Sequence, residues 1–127
     1  MEFYFPTEFG EQLAFAAAAV TAILGLVVMF APGLSLGFFG LQPREGRVEG
    51  LAETRSTGGA YLGFAATALL FAQPILYLAL GAALAMAGFA RILSILSDRG
   101  NSIRNILFLV VQFMLAALPL SYFFGLI

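Results

Sequence analysis

The chain has 127 residues, of which 61% are hydrophobic and 10% are charged, and its formal net charge is -1. This composition leaves too few polar side chains to cover a soluble domain, and it excludes a basic surface for nucleic acid. Cysteine and histidine are both absent, which excludes disulfides, thiolate metal sites, iron–sulfur clusters and imidazole ligands or general bases.

Three long segments without a charged side chain lie at residues 12–43, 56–90 and 105–127. A helix needs about 20 apolar residues to cross about 30 Å of hydrocarbon, so these segments are too long for the helices of a small soluble domain. We therefore predict an integral membrane protein in which residues 1–127 form a single transmembrane domain.

The first uncharged segment is interrupted by Pro32 and Gly33, which stop a helix. We predict a first helix at residues 10–31 and a short apolar segment at 34–41. This second piece is too short to cross the hydrocarbon and too apolar to lie in water, so we expect it at the membrane interface. A cleaved signal peptide is the competing interpretation, but the missing basic residues and the long apolar stretch favour a helix that stays in the mature protein.

The second uncharged segment is too long for one span, and it contains Gln73-Pro74 near its middle. Proline lacks an N–H donor and disfavours helical geometry at the residue before it. The segment is therefore predicted to be a hairpin of two helices, at residues 53–72 and 75–97.

The third uncharged segment follows a cluster of turn-forming residues at 98–102, and it predicts a fourth helix at residues 103–124. The first loop is longer than the later connections, which suits helices that alternate in direction. The expected fold class is thus all-α, an integral membrane four-helix bundle of up-down-up-down topology.

The positions of the arginines predict how the bundle is oriented. All six lie in or beside the first and third loops, whereas the charged side chains of the amino-terminal segment are all acidic. By the positive-inside rule these two loops face the cytoplasm, and both termini lie on the opposite side of the membrane.

Two arginines are predicted to lie at a similar depth, because Arg55 and Arg91 are at similar distances along the chain on either side of Pro74. Two guanidinium groups repel each other unless anions lie between them. Snorkelling to lipid headgroups, a buried ion-pair network and binding of an anionic ligand are the open alternatives. Acidic residues near them in the chain are Glu49, Glu53 and Asp98. The candidate binding residues are Glu53, Arg55, Arg91 and Asp98.

Small residues give each predicted helix a face along which another backbone can approach closely. Packing within the bundle is one interpretation, and a face for a second copy or another protein is the other. Tyr61 and Gln112 are polar residues in apolar segments, and each needs a partner if it faces the interior. The candidate helix-packing residues are Gly58, Gly59, Gly63, Gly81 and Ala85.

Three short segments carry a family resemblance: ETRSTGGAYLG at 53–63, ARILS at 90–94 and DRG at 98–100. They resemble a bacterial family of small four-helix membrane proteins that bears only a domain-of-unknown-function name, and more distantly the DoxX-type four-helix proteins. The resemblance covers most of the chain and implies a four-helix bundle in the inner membrane, so both termini would be periplasmic. It implies no established activity, and the lack of cysteine excludes the thiol chemistry linked to some DoxX-like proteins. Positions that match the family's recurrent ones are Glu53, Arg55, Gly58, Gly59 and Arg91.

The sequence supports two functions. The expected one is a non-catalytic accessory or assembly subunit, which packs its small-residue faces against a larger membrane complex or against itself. The alternative is a binding module for an anionic lipid, a quinone or another amphiphile at the inner-side arginine cluster.

Catalysis and transport have less support. No nucleophile or metal is positioned beside the acidic residues, so no catalytic residue, metal site or cofactor is predicted. A transporter needs a polar path, and no charge lies near the predicted midplane of any helix. A pore would therefore require several copies of the chain.

Overall fold

The structure is a computed structural model, and it describes residues 8–39, 41, 49–97 and 103–127. These residues are almost entirely helical and contain no strand, which confirms the prediction of an all-helical chain. The helices are α1 (Phe9–Phe30), α2 (Pro32–Phe39), α3 (Glu49–Phe71), α4 (Pro74–Ser97) and α5 (Ile103–Phe123).

A single residue separates α1 from α2. Ala31 leaves the helical geometry, although its N–H still donates to the carbonyl oxygen of Val27 at 2.7 Å. Pro32 then opens α2, where a missing N–H costs no hydrogen bond. Ser35 donates from both its backbone N–H and its hydroxyl to the carbonyl oxygen of Ala31, at 3.0 and 2.9 Å. The interfacial segment predicted at 34–41 overlaps this short second helix.

Three of the long helices, α1, α4 and α5, are long and apolar enough to cross a membrane, with mean hydropathies of 2.5, 1.9 and 2.1. α3 has 23 residues but is not among them. It begins at Glu49, ahead of the predicted position 53, and residues 55–59 add an arginine, two hydroxyls and two glycines. The polar first half of α3 therefore sets it apart from the other long helices.

The turn between α3 and α4 is tight. Ala72 has a φ of 50°, the left-handed region that an L-residue other than glycine adopts at a cost of about 1–2 kcal/mol. Its N–H donates to the carbonyl oxygen of Ala68 at 2.8 Å, while Gln73 accepts from the N–H of Leu76 at 3.0 Å. With Pro74 as the first residue of α4, the chain reverses between residues 71 and 74.

Contacts between the helices define a cyclic order. α3 packs mainly against α1, α4 mainly against α5, and α1 also packs against α5. The contact between α3 and α4 is much smaller than these three, although the two helices are consecutive in the chain. Alanine dominates the buried core, which consists of Ala14, Ala17, Ala18, Leu36, Ala65, Ala68, Tyr77, Leu80, Leu84 and Ala116.

Two glycines let the backbones of α1 and α3 touch. A Cβ added to Gly25 would lie 2.7 Å from the carbonyl oxygen of Gly58, and a Cβ added to Gly58 would lie 2.6 Å from the backbone nitrogen of Met29. Neither position has space for a side chain. Small residues thus let these helices approach closely. Membrane helices commonly use such residues, because lipid supplies no hydrophobic force that drives helices together.

The other predicted packing residues lie in different environments. Gly81 of α4 is buried, and an added Cβ there would lie 2.6 Å from Cγ of Leu120 in α5. Ala85 is half-buried against the core. A Cβ on Gly59 would make only an ordinary contact, 3.4 Å from Sδ of Met29, and a Cβ on the exposed Gly63 would have nothing within 4 Å.

Candidate functional site around Arg91

Arg91 lies on α4, and its guanidinium group reaches across to α5. Its Nε donates to Oε1 of Gln112 at 2.8 Å, and its Nη1 donates to Oδ1 of Asn105 at 2.7 Å. All three side chains are half-buried. The two amides fix both the position and the orientation of the guanidinium plane, because each accepts from a different nitrogen.

An aromatic ring completes this arrangement. Cζ of Arg91 lies 5.5 Å from the ring centroid of Phe108, within the range of a cation–π interaction. Asn105, Phe108 and Gln112 are spaced at i, i+3 and i+7, so one face of α5 presents all three. The ring of Phe38 on α2 lies 6.5 Å from that of Phe108, which brings the short helix to the same region.

The positive charge of Arg91 is not matched by an acidic group among the described residues. Its two hydrogen-bond acceptors are neutral amides, and its aromatic neighbour is neutral as well. A guanidinium group has five N–H donors, of which these bonds use two. Both N–H groups on Nη2 therefore stay available within the described part of the chain.

Tyr61 connects this cluster to α3. It is half-buried and lies within electrostatic range of Arg91. The site therefore draws on three long helices: α4 supplies the cation, α5 holds it in place, and α3 contributes a phenol.

A groove begins beside Tyr61, where the limited contact between α3 and α4 leaves space between the two helices. Its volume is about 290 Å³. The residues that line it are Ser56, Thr57, Ala60, Tyr61 and Phe64 of α3 and Ala83 of α4. The hydroxyl of Thr57 already donates to the carbonyl oxygen of Glu53 at 2.9 Å.

The groove is polar toward one end and apolar toward the other. Ser56 and Thr57 lie in the half of α3 that is far from the turn at Gln73, while Phe64 is two helical turns nearer to it. α4 runs back from the same turn, so Arg91 is level with the polar end of the groove along α4, and Ala83, which lines the groove, lies toward the apolar end. A cation and hydroxyls at one end of an apolar groove suit a molecule with a polar head and an apolar chain.

Arg55 has a different environment from Arg91. It is exposed, and its Nη1 donates to the carbonyl oxygen of Met29 at 2.9 Å, at the carboxyl end of α1. A helix leaves its last carbonyl groups without partners, so this bond satisfies one of them. The two arginines that the sequence predicts at a similar depth thus share no hydrogen-bond partner in the described structure.

The acidic candidates do not join the cluster in the part of the chain that the structure describes. Glu53 and Glu49 are exposed, and no ion pair links either of them to a described arginine. Asp98 lies outside the described residues. The described residues also contain no group of three or more acidic, cysteine or histidine side chains that could hold a metal ion.

Two members of the site are not predicted from the sequence. Gln112 is expected to need a partner, but Asn105 and Phe108 are not among the predicted site residues. The signal that could have found them is the spacing of Asn105 and Gln112, two amides on one face of an otherwise apolar helix.

Comparison with known proteins adds no relative: no family model, no curated protein and no solved structure matches this chain. The family resemblance carried by residues 53–63 is therefore still an expectation.

Proposed function

We propose that this chain is an integral membrane four-helix bundle that binds an amphiphile in the groove between α3 and α4, at Arg91. The single observation that carries this function is a guanidinium group that two neutral amides hold within electrostatic range of Tyr61, a residue that lines an apolar groove. A half-buried charge that has no counterion among the described residues is stabilised by a ligand that brings a complementary group. We propose no catalytic role.

The membrane part of the proposal is supported by the three long apolar helices and by the cyclic order of contacts. In this arrangement α3 is the fourth spanning helix, and its polar first half lies near the membrane surface, where arginine can reach water and headgroups. The topology is up-down-up-down, with the arginine-bearing end toward the cytoplasm and both termini in the periplasm of a bacterial inner membrane.

Native mass spectrometry of the protein extracted from its own membranes in mild detergent tests the proposed function. The wild type is expected to retain an amphiphile, and Arg91→Gln is expected to lose it. Arg104→Gln is the matched control, because Arg104 is an exposed arginine near the start of α5 with no part in the site. Equal retention by all three proteins would contradict the proposal, as would a wild type that carries no amphiphile.

A second candidate function is an accessory or assembly subunit. The observation that favours it is Gly63 of α3, which is exposed and has nothing within 4 Å of an added Cβ. Small residues on an open face let a helix of another subunit, or of a second copy, approach closely.

Native gel electrophoresis of detergent extracts tests this second function. Under the accessory proposal the chain migrates with a larger complex, and Gly63→Phe releases it while Leu70→Phe, an exposed change on the same helix, does not. Migration as a small free particle in every case would exclude a stable partner.

A further inference from the structure

We infer that the ligand is an anionic phospholipid, whose phosphate accepts hydrogen bonds from Nη2 of Arg91 and one of whose acyl chains occupies the groove between α3 and α4. This inference rests on the proposed amphiphile-binding function and names the chemical class of the ligand. It follows from the N–H donors of Arg91 that no described residue uses, from the charge and depth of Arg91, and from the shape of the groove.

The donors of Arg91 suit an oxyanion. Gln112 and Asn105 accept from Nε and Nη1, and no described residue accepts from the two N–H groups of Nη2, which can therefore bind a ligand. Charge-assisted hydrogen bonds from a guanidinium group to phosphate oxygens are about twice as strong as bonds between neutral groups. A quinone would offer only neutral carbonyl oxygens, which accept a hydrogen bond but do not compensate the charge.

Asn105 and Gln112 act as positioning residues in this site. Both are neutral amides, so they hold the guanidinium plane and leave its charge uncompensated. A carboxylate at either position would neutralise that charge. The ring of Phe108 restrains the group further. Because the cation is ordered before the ligand arrives, binding costs less conformational entropy than it would with a freely rotating arginine.

The depth of Arg91 matches the level of lipid phosphates. It lies 17 residues after Pro74, which corresponds to roughly 25 Å of helix at 1.5 Å per residue. The hydrocarbon core is about 30 Å thick, so a hairpin whose turn lies at one surface brings Arg91 close to the opposite headgroup region. A lipid of that leaflet can then reach Arg91 without leaving the bilayer.

The groove has the size of part of one acyl chain. Its 290 Å³ is on the order of ten water-sized volumes, enough for a stretch of a single chain and too little for a whole lipid. Phe64, Ala60 and Ala83 supply apolar walls, while Ser56 and Tyr61 offer hydroxyls nearer to the charged end. This order of groups along the groove follows that of a phospholipid from its chain to its glycerol and phosphate.

The test uses the full-length protein in nanodiscs that contain equal amounts of phosphatidylglycerol, which is anionic, and phosphatidylcholine, which has no net charge. After extraction into mild detergent, native mass spectrometry gives the ratio of the two lipids that stay bound. We expect the wild type to be enriched in phosphatidylglycerol roughly tenfold, the effect of one charge-assisted interaction. Adding ubiquinone to the nanodiscs should leave this ratio unchanged.

The decisive variant is Gln112→Glu, which keeps the size of the side chain and places a carboxylate against Nε of Arg91. The built-in ion pair should abolish the enrichment while the protein stays folded, as judged by circular dichroism and gel filtration. Arg91→Gln should abolish it too, and Arg104→Gln should keep it. If Gln112→Glu does not fold, Asn105→Asp makes the same change at Nη1.

Each outcome bears on a different claim. Equal retention of the two lipids by the wild type, or displacement of both by ubiquinone, would overturn the anionic phospholipid but leave amphiphile binding intact. No bound amphiphile at all would overturn the proposed function itself. Enrichment that persists in Gln112→Glu and Arg91→Gln would show that Arg91 is not the receptor. Inorganic phosphate at millimolar concentration should not displace the lipid, and full displacement by it would overturn the role of the acyl chain.

Discussion

The carbonyl oxygen of Gly58 lies 2.7 Å from the place where a Cβ on Gly25 would stand, so α1 and α3 meet backbone to backbone. This contact joins the most polar of the long helices to the one with the highest mean hydropathy. α3 therefore packs mainly against α1, which agrees with the small contact between α3 and α4 and with the groove between them.

Gly58→Ala should destabilise the protein by about 1–3 kcal/mol, the usual cost of overpacking, because the added methyl group would collide with backbone atoms of α1. Gly63→Ala on the same helix is the matched control, since nothing lies within 4 Å of its added Cβ. Alanine has the higher helix propensity, so that change should stabilise by up to about 1 kcal/mol. Unfolding by sodium dodecyl sulfate, followed by circular dichroism, compares the two, and equal effects would contradict the close approach.

Ala72→Gly should stabilise the protein by about 1 kcal/mol, because glycine adopts a positive φ without the steric cost that alanine meets there. The same change at the exposed Ala52, inside α3, should destabilise by a similar amount. The same detergent titration measures both variants. A destabilising Ala72→Gly would show that the turn does not hold this residue in the left-handed region.

Arg55→Gln should weaken the end of α1 without affecting the ligand, since its hydrogen bond goes to Met29 and not to the Arg91 site. The loss should be below about 1 kcal/mol because the side chain is exposed. Stability and bound lipid are measured on the same sample to distinguish the roles of the two arginines. Arg55→Gln should lower the stability, and Arg91→Gln should lower the amount of bound lipid. Lipid loss in both variants would indicate a shared arginine site after all.

Single cysteines can establish the topology without background labelling, because the chain has no cysteine of its own. Gln73→Cys and Glu49→Cys place thiols at two exposed positions, in the turn between α3 and α4 and at the start of α3. In intact cells, an impermeant maleimide should label the first and not the second. Labelling of both, or of Glu49→Cys alone, would contradict the proposed orientation.

The extents of the helices follow from signals local to the sequence, while the partners of the site do not. Pro32 and Pro74 each open a helix, as proline in an apolar run predicts. The early start of α3 gave no apolar signal, because Glu49 and Gly50 resemble a loop. Which of three nearby glycines, Gly58, Gly59 or Gly63, meets α1 depends on the rotation of α3 about its axis, which local sequence does not specify.

The partners of Arg91 illustrate the harder part of prediction. From the sequence, Arg91 is expected beside Arg55 across the hairpin and near acidic residues, since charge and proximity in the chain are the guides that a sequence provides. In the structure its partners are amides on α5, 14 and 21 residues away. Whether the side chain of Arg91 contacts α3 or α5 depends on how the four long helices pack together.

Photo-cross-linking with an anionic phospholipid that carries a diazirine in one acyl chain tests the central claim most directly. Peptide mass spectrometry of the cross-linked protein should map adducts to the groove between α3 and α4, at Ala60, Phe64 and Ala83, and Arg91→Gln should remove them while Arg104→Gln should not. Adducts spread over exposed apolar residues elsewhere, such as Ile23 of α1 and Val110 of α5, and unchanged in Arg91→Gln, would contradict a specific amphiphile site.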